Sequence, residues 1–430
     1  MKNTLVLILL ICLSAFHVAC KDAGDNTPDQ GGADLDKLSN QVIIDWNLAV
    51  FEAMGGPAEE HTLLASRLNA MVHLAMHDAL NAIDPRFQTY AFHGKNKLAD
   101  PVAAAATAAY EVLAGSLPNQ KGMLDGQLAA SLAAVPEGEG KTQGIDLGKK
   151  CAAAILALRQ NDGAFQDPMS PVPPSNGQAG VYQAVPPFDI LYGPFWKTMQ
   201  PFSLQKPDQF RIVQFPALNT QAYAEGFNEV KRIGQKDSPH RSAEQTAIAK
   251  FWYELSDIGW NRVTRTVATD QKLGLLSTAR LFALVNMALT DAYTAGWDSK
   301  FYYNFWRPYT AIRSAEIDGN PNTEADPLWE PSEPTPPVQD YPSTHSALGN
   351  AAATVLATLL GDHVPFTMSS ITAFPAGSTR SFTRFSDAAR ENADSRVYAG
   401  IHFRFSCERG LEMGQKVGKW TVENHLKPVE

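Results

Sequence analysis

Basic charge, cysteine and strand-like alternation are all scarce in this sequence, and each scarcity closes a class of explanation. The formal net charge is −9, so no basic excess exists to meet a phosphate backbone; a nucleic-acid partner is not expected, and any cationic site must be local. Four cysteines in 430 residues include no CxxC pair, which removes a metal framework of that kind. Beyond the N-terminus no run is apolar enough to span a membrane. The nearest candidate, Gly274 to Ala292, contains Arg280, Asn286 and Asp291 and reads as a buried core helix. Few segments alternate with period two, and no repeat of fixed short period is visible, so strands should be few.

What is present is apolar bulk: 44% hydrophobic and 10% aromatic residues, enough for a large core in one big domain or in two halves. The first residues, MKNTLVLILLICLSAFHVAC, combine a lysine, an apolar run and small residues before Cys20. They resemble a bacterial lipoprotein signal, with residues 1–19 removed and Cys20 lipidated; ordinary cleavage near Ala19 and an uncleaved anchor are the alternatives. The expected location is exported and lipid-anchored in the bacterial envelope, periplasmic or at the cell surface, with the membrane met only through that anchor. Residues 20–37 are polar, Gly-rich and acidic and read as a flexible tether. Cys151 and Cys407 then remain in the folded body, either paired or as buried free thiols.

Helical spacing dominates the rest. From Leu38 to about Ala82 the positions Trp46, Ala49, Ala53, Leu64, Leu68, Met71 and Ala75 recur every three or four residues, with Gly55-Gly56-Pro57 splitting the run and Asp84-Pro85 ending it. His73 and His77 share a face of the second helix and could in principle share a metal. Leu74, however, stands where a zinc protease has Glu, and packed helix histidines are the alternative. Helices follow at Pro101–Ala114, Gly122–Ala134 and Gly144–Arg159. Between Gly163 and Pro216 nine prolines from Pro168 to Pro207 forbid long regular elements, while Phe188, Tyr192, Phe195, Trp196 and Phe202 make this an ordered crossover rather than a hinge. Periodicity returns at Gln221–Gly234, at Ser242–Leu255 and at Ser277–Tyr293. The fold expected is all-α, a large helical bundle protein of two packed halves, residues 38–216 with the Pro-rich crossover and residues 217–430.

Three stretches of the second half carry chemistry. In Trp297 to Pro308, Lys300 and Arg307 are seven apart, two helical turns, which puts two cations on nearly the same face, with Pro308 biasing Arg307 toward the helix end. In Tyr341 to Gly361, Ser343 caps an apolar helix, whose start offers free N–H groups and the positive end of a dipole to an oxyanion, with His345 beside it. In Asp394 to His402, Arg396 and His402 flank a corner marked by Gly400, before a helix with Gly410, Gly414 and Gly418 on one side. A helix cap and solvated surface cations would explain each stretch alone. Together, three cations (Lys300, Arg307, Arg396), the Ser343 hydroxyl, the Thr344 N–H and two imidazoles (His345, His402) suit a tetrahedral oxyanion such as phosphate or vanadate. One imidazole is left for the central atom and the other for proton transfer.

K-x6-R-P, P-S-x-H and S-R-x5-H, in this order, resemble the three-part signature of the superfamily that joins vanadium-dependent haloperoxidases to type 2 phosphatidic acid phosphatases and bacterial acid phosphatases. The resemblance implies roles. His402 binds the central atom, as ligand to vanadium or as phosphoryl-accepting nucleophile; His345 is the acid/base; Ser343 is a hydroxyl donor; Lys300, Arg307 and Arg396 clamp the oxyanion, and Lys300 polarises bound peroxide. Trp297 matches an aromatic near the haloperoxidase halide site, and Val338 stands where halide-tuning residues occur. Two departures stand out. Thr344 replaces a usual Gly, so its β-branched side chain is expected to narrow the approach to the anion. Ser406 stands where phosphatase members often carry an aspartate, so support for His402 is expected to be weakened.

The function implied is a vanadate-dependent haloperoxidase using hydrogen peroxide and halide, since the long helical half before Pro216 resembles the large soluble peroxidases. A cofactor-free phosphomonoester phosphatase working through a phosphohistidine is the second reading, and a non-catalytic oxyanion-binding lipoprotein is the third. A second imidazole beside the anion favours chemistry over binding alone.

Overall fold

The computed structural model describes residues 34–58 and 61–429; the signal-like segment and Cys20 lie outside them. Among the described residues there are thirteen α-helices and two small two-stranded antiparallel sheets, and no helix is long and apolar enough to cross a membrane.

A helix that is apolar on every side must be buried on every side, and the Leu275–Tyr303 helix is: nearly all its residues from Leu275 to Lys300 are inaccessible. Its 29 residues span about 43 Å at the usual rise, and both halves of the chain pack on it. The Thr62–Ile83 helix lies against it from the first half, and the Thr344–Leu360 and Arg404–Asn424 helices from the second. One hydrophobic core runs from Leu35 to Leu426 through all of them.

Both halves use glycine to bring helix backbones into contact. In the first, an added Cβ at Gly144 or Gly148 of the Glu139–Leu158 helix would come within 2.6 Å of Asp100 O or Ala104 O, at the Pro101–Ser116 helix. In the second, Cβ atoms at Gly410, Gly414 and Gly418 would meet Ser343 O, Ala347 O and Ala351 O at 2.3, 2.1 and 2.6 Å. Any larger residue there would push the last helix off the helix that Ser343 opens.

The Pro-rich crossover is pinned rather than loose. Asp291, inside the central helix, accepts hydrogen bonds from the Phe202, Ser203 and Leu204 N–H groups at 2.7, 2.6 and 2.9 Å. Phe195, Trp196 and Phe202 are buried, whereas Phe188 stays 37% exposed. The helix expected from Ser242 to Leu255 ends at Phe251, and a separate helix, Ser256–Asp270, follows. That segment is rich in β-branched residues and contains Gly259, so its local preference is weak; burial of Ile258, Trp260, Val263 and Val267 makes it helical. Cys151 and Cys407 are buried free thiols.

Candidate functional site

The central helix carries Lys300 to the middle of the molecule, fully buried. Its ammonium donates to Gln339 O at 2.6 Å and Asp340 O at 2.9 Å. Arg307 does not share that helix. Asn304 takes a left-handed conformation (φ 47°, ψ 42°) and ends it after Tyr303; Arg307 is extended and Pro308 opens the next short helix, Pro308–Arg313. The two cations meet through a sharp corner, corrected from a common helix face. The carbonyls of the 336–341 strap hold both, since Arg307 Nε donates to Val338 O at 2.7 Å. Arg307 Nη1 donates to Ile401 O at 2.8 Å and lies 3.0 Å from His402 Nε2 and 3.4 Å from Nδ1.

Ser343 is the N-cap of Thr344–Leu360, its hydroxyl accepting from the Ser346 N–H, and its own N–H donates to Ser406 O at 3.0 Å. In that first turn the Thr344 and His345 N–H groups have no intrahelical acceptor. The Thr344 methyl faces the central helix: a Cβ on Gly296 would come within 2.4 Å of Thr344 Cγ2. The side chain expected to narrow the anion's approach is thus taken up by a glycine on the facing helix. His345 is partly exposed, and its Nε2 lies 3.1 Å from Glu254 O. A carbonyl only accepts, so Nε2 carries the hydrogen and Nδ1 the lone pair.

Arg396 sits in the last turn of Phe385–Tyr398, donates from Nη1 to Trp252 O at 3.0 Å, and lies 5.7 Å from the Tyr253 ring. Its buried Nε has no partner. The chain then turns at Gly400 (φ 79°), where a Cβ would be 2.2 Å from Gly234 O, and delivers His402, 2% exposed. The sequence reading passed over the residue His402 leans on. Asp340, fully buried, places Oδ1 2.9 Å from His402 Nδ1, and its Oδ2 accepts from the Ser406 hydroxyl. Ser406 therefore does not leave His402 unsupported; it holds the carboxylate that supports it, which arrives from the strap two residues before Pro342.

Burial depresses the Lys300 ammonium well below its ordinary range, with Arg307 adding to it, and brings Arg396 down to about 10. Burial also holds both imidazoles neutral, His402 with further depression from Arg307, Lys300 and Arg396, and His345 chiefly from Arg396. Asp340 is pushed up to about 6 by burial, although Arg307 and Lys300 oppose this. Direct contacts gather Lys300, Arg307, Asp340 and His402 at the strap, while Arg396 and His345 also act electrostatically on His402. Lys300, Arg307 and Arg396 are buried, the Asp340 carboxylate is turned toward an imidazole, and Arg396 Nε is orphaned. A multiply charged tetrahedral oxyanion fits this donor set, whose charge and unused N–H groups it would complete.

Trp297 is buried and gives its indole N–H to Tyr192 O at 3.3 Å, tying the central helix to the crossover. His73 Nε2 is 2.9 Å from the Asn47 carboxamide and its ring stacks on Phe282, while His77 Nδ1 is 3.3 Å from Asp78. Among the described residues no group of three or more His, Cys, Asp or Glu could hold a metal ion, and both rings are buried against these neighbours.

An all-α helical-bundle fold with this constellation is similar to the vanadium haloperoxidases. Residues 280–430 match the family model of the VCPO second helical-bundle domain. The sequence is 27% identical to vanadium chloroperoxidase of Curvularia inaequalis over 406 residues, 74% of this chain and 65% of that protein, so it spans about two thirds of that relative's length. The fold is that of a bacterial vanadium-dependent iodoperoxidase, with a TM-score of 0.77, 24% identity and coverage of 91% of this chain and 98% of the other. A holo-type bacterial vanadium-dependent chloroperoxidase is similar at a TM-score of 0.70, with 21% identity over 91% and 98% of the two chains.

Proposed function

We propose that this protein is a vanadate-dependent haloperoxidase, oxidising halide with hydrogen peroxide, and that it works exported and tethered at Cys20. The observation that carries the reading is the buried excess of positive charge around two neutral imidazoles. Vanadate bound there would supply Lewis-acid activation of peroxide toward halide. In this reading Lys300, Arg307 and Arg396 balance the charge of the oxyanion's oxygens, and Ser343 and the Thr344 N–H add neutral donors. His402 presents Nε2 to the central atom, while His345, with its lone pair on Nδ1, takes and returns a proton at the partly exposed rim.

One observation favours the second reading, phosphomonoester hydrolysis: the Asp340 carboxylate on His402 Nδ1 is the support a phosphoryl-accepting imidazole needs. Both follow from one experiment. Protein loaded with vanadate is assayed for peroxide-dependent iodination and bromination of a phenol dye, and vanadate-free protein for aryl phosphate hydrolysis. Halogenation only with vanadate supports the first reading, and hydrolysis alone the second. Retention of oxyanion with neither activity would leave a binding protein. In the same assay His402→Ala is expected to lose tight vanadate binding, whereas His345→Ala keeps it with little turnover; equal affinity in both variants and the parent would undo the assignment.

A further inference from the structure

The two nitrogens of His402 are not equivalent in this fold, and the inequality comes in part from a residue outside the three motif pieces. Nδ1 faces Asp340 Oδ1 at 2.9 Å. Nε2 faces the guanidinium of Arg307, which lies nearer to it than to Nδ1 (3.0 against 3.4 Å) and can only donate. A carboxylate on one side and an obligate donor on the other admit one neutral arrangement, with the hydrogen on Nδ1 and the lone pair on Nε2.

Asp340 is itself held. Its second oxygen accepts from the Ser406 hydroxyl, one turn into the helix that follows His402. Its main-chain carbonyl accepts from Lys300 at 2.9 Å, and its N–H donates to Phe305 O at 3.0 Å. The nearest cation atom to the carboxylate, Arg307 Nη1, is 4.0 Å away, so the carboxylate is spent on the imidazole rather than on neutralising a cation.

We propose that Asp340, fixed by Ser406, is a positioning residue that keeps His402 in the Nδ1–H tautomer and so presents the Nε2 lone pair to the oxyanion. The proposal rests on the oxyanion reading of the site and names the residue that prepares it. A carboxylate behind an imidazole ligand raises its basicity and fixes its plane, and removing such a partner typically costs about 10- to 100-fold in affinity for the bound centre. Glu254 O acts oppositely at His345, where it fixes the hydrogen on Nε2, so the two rings are set in opposite tautomers.

Two readouts test this. In ligand-free protein labelled with 15N-histidine, with the 402 signals identified by their loss in His402→Ala, long-range 1H–15N correlations should show a protonated Nδ1 and a bare Nε2. Calorimetric titrations with orthovanadate and with inorganic phosphate should show Asp340→Asn weakened about 10- to 100-fold for both anions. Ser406→Ala, which keeps the carboxylate but frees it, should be weakened less than Asp340→Asn. Circular dichroism and thermal unfolding establish that the variants are folded, and Ser406→Ala keeps the test alive if Asp340→Asn is not. A parent protein with the hydrogen on His402 Nε2, or folded variants binding both anions as the parent does, would overturn the proposal. If the parent binds neither anion, the oxyanion reading fails, and the tautomer measurement still decides the role of Asp340.

Discussion

Among the described residues, two places bury more than one cation near a buried carboxylate, and they solve the problem differently. In the first half, Arg67 and Arg159 each bring Nε to 2.8 Å from the same oxygen of Asp162, all three buried. Arg67 Nη2 donates to Arg159 O, and Arg159 Nη1 donates to Pro201 O. The Phe165 and Phe202 rings lie 4.8 and 3.8 Å from the two guanidinium carbons. In the second half, Asp340 stands 4.0 Å from the nearest guanidinium and bonds His402 and Ser406 instead. The first carboxylate bonds both of its cations directly and staples the crossover to the helices. The second comes no nearer than 4.0 Å to a guanidinium, which on the proposed reading leaves the site's cations to an oxyanion. Where a buried carboxylate points separates a structural cluster from a binding one better than its presence does.

The largest expected effect tests the first half of that contrast. Removing one member of a buried ion cluster strands charge in the interior, so Asp162→Ala should cost about 3–5 kcal/mol in urea unfolding, with vanadate affinity within threefold of the parent. Arg396→Gln should do the reverse, costing less than half as much stability while weakening vanadate at least tenfold. If both variants lose stability and affinity in the same proportion, the distinction between the clusters collapses.

Much of the fold, and the residues of the candidate site, could be read from the sequence, and the part that could not has a physical reason. Helix starts at Ser343 and Pro101, the stop at Gly361 and the glycine side of the last helix are local signals, and the structure keeps them. The three cations and two histidines could be named because they fall in short spaced runs. Their relation could not. Seven-residue spacing suggested one helix face for Lys300 and Arg307, but Asn304 breaks the helix between them. Asp340 was invisible as a partner because its contacts reach 62 and 66 residues along the chain to His402 and Ser406. Nothing within one turn of a sequence reports such a meeting.

A middle-sized effect concerns the packing that frames the site. Gly296 leaves space for the Thr344 methyl group, so Gly296→Ala should cost about 1–3 kcal/mol through overpacking. Combining it with Thr344→Gly should recover most of that loss, a coupling readable from the four unfolding curves. Thr344→Gly alone should change vanadate affinity by less than threefold, because the methyl fills a helix interface and not the anion's path. A larger change would return that side chain to the binding side of the comparison.

The smallest effect separates the histidines that are sealed from those that serve the site. Burial lowers His73 to about 3, with Arg265 adding to it, while the unfolded chain binds a proton near the ordinary value of about 6.5. Below that value the unfolded state gains a proton that the folded state refuses. The contribution is therefore present in full above about pH 6.5 and is lost progressively as pH falls toward 3. By about pH 5.8 the loss should reach ~1 kcal/mol. His73→Phe carries a constant cost from the abandoned Asn47 contact, but it cannot titrate. The stability gap between parent and variant should therefore shift by that amount in the variant's favour between pH 7.5 and 5.8, with vanadate present or absent. A gap that moved only when vanadate was present would tie His73 to the anion site. A sealed histidine should be indifferent to what occupies that site, since its ring is enclosed by Asn47 and Phe282.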